Sequence, residues 1–548
     1  MTGSDVDRTP SPRADLCIVG AGVAGALVGH RLAERGYDVV FLEAGERFDP
    51  ADRLQQMEQA LRPEHDPTDI WNMGGPRDRY SVSGEIDSYA LNERRVKGVG
   101  GTTLHWLGTT PRLHPRDFEL RSRHGVGVDW PISYSDLQPY YAAAERAMGV
   151  AGEDGGSGPP REEPYPLSAF PESHSDGLFE AACERLGITL RPCPQARNSE
   201  AYDGRSQCIG YGTCSPVCPS GAKYSGDVHA RRAEAEGARV IDRVAVEQLE
   251  HDRDGSTVTA AQYVTPDGTR HRQEARHFVV AAGGVETPRL LLLSKSEQYL
   301  DGLANSSGAV GRYFMEHPAV RTTARIDSET NPEPIGFLTR ISEHFYDTGD
   351  APPGSIMLKF SHSDPPSPTQ HALGGGNLTS VDDAAEAVVG VEWGDDLLEG
   401  FDAANRTLWI GGNLEMLPEK DNYVGLDTDT TDEFGNPVPD VSFGVGPYGR
   451  ATAERALEVE RTILEEAGGE VVGQTDPADP NFLSHHMGST RMGTDPGDSV
   501  VNPRLRTHDL ENCWIVSSSV FPTCGAANPT LTIAALALRA VEDLRDVL

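Results

Sequence analysis

The chain has 548 residues, 37% of them hydrophobic with 59 glycines besides, which is room for two or three domains around a large core and excludes disorder for most of the length. Asp and Glu number 84 against 48 Lys and Arg, a formal net charge of -36, and only five of the cations are lysine. Such a field repels phosphate backbones and excludes nucleic acid as a partner; spread acidity with little lysine is what a protein dissolved in concentrated salt needs, so a halophilic source is expected.

In chain order, the N-terminal stretch MTGSDVDRTPSPRAD is polar, without the apolar run or twin arginine of an export signal. This points to a cytoplasmic protein, or one exported only with a signal-bearing partner. Residues 14–19 read as an apolar strand, 22–35 as a helix closed by Gly36, and 38–42 as a second strand, a βαβ unit that opens a doubly wound sheet. A helix is expected over 135–148, with Ser135 and Gln138 as its capping box, and a linker over 152–163. Further helices are expected over 176–186 and 452–467 and from 531 onward, and a strand over 276–282. Residues 361–405, rich in Pro, Gly and Asp, read as a long surface insertion. No stretch of about 18 uncharged apolar residues occurs, so no membrane span is expected.

Between the first strand and helix lies Gly20-Ala-Gly22-Val-Ala-Gly25, and Glu43 closes the second strand. Gly20 permits the turn, Gly22 admits a pyrophosphate to the helix N-terminus, and Gly25 lets helix and sheet touch. Glu43 would accept hydrogen bonds from an adenosine ribose, which suits FAD or NAD and disfavours NADP. A second glycine loop, Arg95-Val-Lys-Gly-Val-Gly-Gly-Thr-Thr-Leu-His-Trp106, would bring Gly100, Gly101 and Thr102 against a phosphate or a flavin edge.

These residues resemble the first signature of the glucose–methanol–choline (GMC) oxidoreductase family, and the resemblance runs along most of the chain. Gly283-Gly-Val-Glu-Thr-Pro-Arg-Leu-Leu-Leu-Leu-Ser294 is similar to its second signature, and Val310-Gly-Arg-Tyr-Phe-Met-Glu-His-Pro318 to a later block. His485-His-Met-Gly-Ser-Thr-Arg-Met-Gly493 and Asn528-Pro-Thr-Leu-Thr-Ile533 resemble the family's active-site region. The resemblance implies an α/β fold: a doubly wound Rossmann-type FAD domain with a second, substrate-binding sheet-and-helix domain. The FAD domain would comprise 1–160, 230–318 and 476–548, the last carrying the active-site residues, with a cysteine segment at 161–229 and the substrate domain at 319–475. It implies His485, not His486, as the base, Asn528 as its partner, and FAD contacts from Val246, Ser519 and Thr530. Ser517 departs from the pattern, since many relatives carry Asp there. His105-Trp106 resembles a stretch of pyranose oxidase whose histidine is bonded to the flavin 8α-methyl, which implies that His105 lies at the flavin and is a candidate for the same bond.

Cys208-x5-Cys214-x3-Cys218-Pro219 can be laid on the bacterial ferredoxin run, with Tyr211 in place of the second thiolate. Three thiolates suit a [3Fe–4S] cluster; a three-Cys zinc site with a remote His and plain structural thiols are the other readings. The surrounding segment resembles the catalytic subunit of cluster-bearing, FAD-dependent glucose dehydrogenases, to which gluconate, sorbitol and fructose dehydrogenases are related. The expectation is oxidation of a sugar or polyol CH–OH group by hydride transfer to flavin. Electrons would leave through the cluster to a cytochrome or other acceptor protein, in company with a small exported subunit. An O2-using oxidase, a lyase with an idle flavin, and a non-catalytic nucleotide-binding protein are the alternatives.

Overall fold

Ala14–Val19 is almost wholly buried and forms the middle of a seven-stranded sheet. The protein is described by a computed structural model covering residues 7–62, 69–330, 338–347, 349, 354–362 and 406–548. After the glycine turn the chain runs through the helix Val23–Ala33 into the strand Val39–Leu42, which pairs parallel with Ala14–Val19. Arg239–Ile241 extends the sheet on that side; Arg270–Val280 and then Cys513–Ile515 extend it on the other, all parallel. The connection reverses direction between Ala14–Val19 and Arg270–Val280. In a doubly wound sheet that switch point opens a crevice at the carboxyl ends of the strands, where Gly20 and Ala281 follow. The first half of Arg270–Val280 leaves the parallel sheet and pairs antiparallel with Val258–Val264, which in turn pairs with Ala245–His251.

A second, antiparallel sheet has the order Glu470–Gln474, Pro318–Arg325, Thr407–Leu414, Ile356–His362, Arg340–Ser342, Arg191–Pro192. One face buries Val320, Leu358, Phe360, Leu408 and Ile410 against Ala453, Leu457 and Ile463 of the helix Gly446–Glu466 and Phe179 of the helix His174–Leu186. Each such side chain contributes about 1.5–3 kcal/mol. Strand alternation turns Met357, Lys359 and Asn413 to the opposite face, which meets the first sheet's domain. Met357 belongs to that domain's core, and Asn413 bonds to Asn528. The fold is thus a Rossmann-type FAD domain joined to a substrate domain.

Several element boundaries differ from expectation. The helix Gly446–Glu466 starts ahead of residue 452, because Pro447 sits in the first turn, where its missing N–H costs nothing. The helix Tyr134–Met148 is capped by Ser133 with Asp136 rather than by Ser135 with Gln138, and His174–Leu186 is capped likewise by Ser173 with Asp176. The strand expected over 276–282 reaches back to Arg270. Of the expected insertion, residues 361 and 362 complete the strand Ile356–His362, and 363–405 lie outside the described residues. Among the described residues no helix is long and apolar enough to cross a membrane.

Candidate active site

The glycine turn lies at the foot of a cavity of about 460 Å³. Gly20, Gly22, Glu43, Gly101, Thr102, Val246 and Thr530 line it, and His485 stands at the same wall. The helix Val23–Ala33 has no side-chain cap and no acid in its first turn, so its N-terminal N–H groups face the cavity uncommitted. The two glycine loops touch: a Cβ on Gly101, at φ +58°, would stand 2.9 Å from the Cα of Gly22. Gly25 lies behind the cradle, where a Cβ would meet the Gly20 carbonyl oxygen at 2.1 Å, so helix and turn pack backbone to backbone.

Buried Glu43 accepts the Ala21 N–H at 2.7 Å and the Gly45 N–H at 3.0 Å, one on each carboxylate oxygen. Burial pushes its carboxyl up, and the two N–H groups pull it back. Each oxygen keeps a lone pair for a ribose hydroxyl. Uncapped helix, bare-backbone cradle and buried acid together fit an FAD pyrophosphate and ribose.

Four expected contacts fall outside that lining. Gly25 and Gly100 act through backbone packing. Ser519 is buried behind Ser517 and Ser518, which do line the cavity, and its hydroxyl bonds those of Ser517 and Thr490, each at 2.6 Å. His105 stands beside the wall formed by Thr102, Thr103 and Trp106. Burial, with Lys223 adding to it, takes its imidazole down to about 4, so it is neutral.

Around His485 four side chains from four segments form one chain of hydrogen bonds. His317 Nε2 meets the Cys524 carbonyl at 3.3 Å, and His317 Nδ1 meets His485 Nδ1 at 2.8 Å. His485 Nε2 meets Asn528 Nδ2 at 3.2 Å, and Asn528 Oδ1 accepts from Asn413 Nδ2 at 3.3 Å. A carbonyl only accepts, so His317 carries its proton on Nε2 and presents a bare Nδ1. His485 therefore donates from Nδ1 and keeps a lone pair on Nε2. Burial first, then the charges of His317 and Lys359, hold His485 well below the usual histidine range, and burial brings His317 to about 4.

Glu316 fixes the backbone of both imidazoles: one carboxylate oxygen accepts the His485 N–H at 2.6 Å and the His317 N–H at 2.8 Å. Its other oxygen accepts from Tyr89, whose hydroxyl meets His486 Nε2 at 2.8 Å. His486 thus points into the aromatic group of Tyr89, Phe314 and Phe443, and burial takes it to about 3. The two adjacent histidines face different surroundings.

His317, Glu316, Tyr89 and Asn413 carry no role in the sequence reading. His317 and Glu316 stand in the quoted block Val310–Pro318, so the signal was adjacent to hand; Asn413 had none.

Cys208, Cys214 and Cys218 share one loop, with Cys214 buried. The Lys223 N–H reaches the Cys218 sulfur at 3.5 Å, and Lys223 Nζ donates to the carbonyls of Cys214 (2.6 Å), Trp106 (2.6 Å) and Leu104 (3.0 Å). The loop is thereby tied to the segment that walls the cavity. Among the described residues no three metal-ligating side chains converge as a coordination site, so the thiols do not stand as a ready ligand set.

The chain matches the family model for GMC oxidoreductases over residues 15–319 and 418–537. It is 35% identical over 553 residues to the fructose dehydrogenase large subunit of Gluconobacter japonicus, covering 96% of this chain and 97% of that protein. It is 30% identical over 554 residues to 2-methyl-1,2-propanediol dehydrogenase of Mycolicibacterium austroafricanum, covering 97% and 95%. Among solved structures, a formate oxidase superposes with a TM-score of 0.68 over 98% of this chain and 99% of that one, at 16% identity, a likeness of fold.

Proposed function

The chain belongs to the GMC oxidoreductase family and is an FAD-dependent enzyme acting on CH–OH donors, and from that premise we propose that it oxidises a sugar or polyol with His485 as the base. The observation that carries the reading is the relay from the Cys524 carbonyl through His317 to His485, which leaves a lone pair on His485 Nε2 beside the Asn528 N–H.

FAD, when bound, supplies the acceptor for the substrate's hydride. The chain's own residues do the rest. A carbinol placed between His485 and Asn528 donates its hydroxyl proton to His485 Nε2 and accepts the Asn528 Nδ2–H on its oxygen. Asn413 keeps the Asn528 amide turned so that its N–H, not its carbonyl, faces that oxygen. As His485 takes the proton it becomes cationic, and its Nδ1–H bond to His317 strengthens. Gly20, Gly22, Gly101 and Glu43 would hold the dinucleotide, and Thr102, Val246 and Thr530 line the same cavity. A bond from His105 to the flavin is tested by acid precipitation, which leaves the colour with the protein only when such a bond exists.

Relatives named for fructose and for a diol support an oxygen-rich substrate. The finer part of the proposal is that Cys208, Cys214 and Cys218 carry a [3Fe–4S] cluster serving electron exit to a cytochrome or other acceptor protein. Its support is their spacing and the tie from Cys214 to Trp106 through Lys223. The word "subunit" in a relative's name supports assembly with a partner, which would also decide whether the enzyme is cytoplasmic or exported. Anaerobic addition of sugars and polyols tests the activity: the flavin bleaches with a substrate, and the acceptor that restores its colour, O2 or a cytochrome, separates oxidase from dehydrogenase.

A further inference from the structure

Lys359 lies on the strand Ile356–His362, between Leu358 and Phe360, which are buried in the second domain's core. Alternation turns its side chain to the other face of the sheet, the face that carries Met357 and Asn413 toward His485 and Asn528. Its in-register neighbours are Ile341 on one side and Gly411 on the other, with Arg191 and Arg321 beyond them, so the row offers the ammonium no acceptor side chain. Its charge is felt by Cys193, His317 and His485, and no carboxylate is among the groups that act on it.

The other interior lysines are satisfied: Lys223 donates to three carbonyls, and Lys97 pairs with Asp78 and Glu286. Among the described residues the Lys359 ammonium has no hydrogen bond and no ion pair, and the residue is part-buried. A part-buried cation flanked by Met357 and Ile341 gains a charge-assisted hydrogen bond from any ligand that brings an oxygen to it.

We propose that Lys359 selects the substrate: its ammonium donates to a second oxygen of the substrate while the carbinol to be oxidised faces His485. This rests on the reading of His485 as the base acting on a sugar or polyol, and adds the residue that would prefer a polyhydroxylated molecule to an alkyl alcohol. A monohydric alcohol leaves the ammonium unpaired, and a site that hydrogen-bonds a substrate oxygen discriminates against a ligand lacking it.

The test uses the FAD-loaded full chain and a soluble electron acceptor. Parent, Lys359→Met and Lys359→Arg are assayed on a hexitol, a hexose, a hexonate and 1-propanol, with bound flavin measured by absorbance to confirm folding. Lys359→Met should raise KM for the oxygen-rich substrates roughly 10–100-fold with kcat little changed, the scale of one charged hydrogen bond. 1-Propanol should be unaffected, and Lys359→Arg should recover part of the loss. A larger effect on the hexonate makes the favoured oxygen a carboxylate; a larger effect on the hexitol and hexose makes it a hydroxyl. Equal losses on 1-propanol and the polyols, or no loss on any, overturn the assignment while leaving the parent's CH–OH activity standing. A parent whose flavin is bleached by none of the four fails the reading of the active site itself, and the assignment with it.

Discussion

His317 and His485 meet Nδ1 to Nδ1 at 2.8 Å, and the proton between them belongs to His485. The assignment follows from the Cys524 carbonyl on the far side of His317, which obliges that ring to carry its own proton on Nε2. A neutral histidine is thereby used as a fixed acceptor, a role more often given to a carboxylate. The result is a base whose imidazole is oriented by a neutral group, the buried Glu316 carboxylate meeting only its backbone N–H.

The pH profile follows. Only neutral His485 accepts a proton, and its folded value lies well below 6.5. The acid limb of kcat/KM should therefore fall below pH 6.5, with activity flat from there through neutrality. His317→Gln keeps an acceptor for the Nδ1–H, and because burial is the main cause of the depression the limb should stay below 6.5. A parent limb at or above 6.5 would contradict the assignment.

Tyr346 supports the turn that carries Asn528. Its hydroxyl donates to Asp117 at 2.7 Å and accepts the N–H groups of Ala526 (3.0 Å) and Ala527 (3.2 Å). Tyr346→Phe strands those buried donors and should destabilise the protein by about 1–3 kcal/mol. Thermal melting followed by release of flavin fluorescence measures this, and an unchanged melting temperature would show that the turn holds itself.

Cys214→Ser tests the electron exit. It should remove visible absorbance beyond the flavin bands and impair reduction of a protein acceptor, while anaerobic bleaching by substrate survives. Metal analysis of the parent should find about three iron per flavin. Zinc without iron would reject the cluster, and iron with unimpaired acceptor reduction in the variant would make it structural.

If the net charge of -36 is an adaptation to concentrated salt, the protein should lose flavin or structure as KCl falls below about 1 M, where carboxylates repel unscreened. A melting temperature constant from about 0.1 to 3 M KCl would remove that explanation.

Contiguous features were legible before the structure. The turn at Gly20–Gly25 and the strand Val39–Leu42 that ends at Glu43 depend on residues within one βαβ unit, and the pattern around His485 is local too. Features made by distant segments were not. His317 and His485 are 168 residues apart, and the Met315–Met487 bridge with the pairing of Pro318–Arg325 against Asn481–Phe482 brings one to the other. Lys359 reads as an ordinary strand lysine until the face of its sheet is known. The start of the helix Gly446–Glu466 was hidden because Gly446, Pro447 and Gly449 read as breakers, although the long helix carries all three in its first turns.

The most direct measurement is the rate of anaerobic flavin reduction by substrate after rapid mixing, in the parent and in His485→Ala, His486→Ala and Asn528→Ala. With His485 as the base, His485→Ala should be slower by roughly 10²–10⁴-fold with FAD still bound, and Asn528→Ala should lose less. His486, bonded to Tyr89 away from Asn528, should be dispensable for the reduction step. Normal reduction in His485→Ala together with a dead His486→Ala would place the base one residue later and contradict the account.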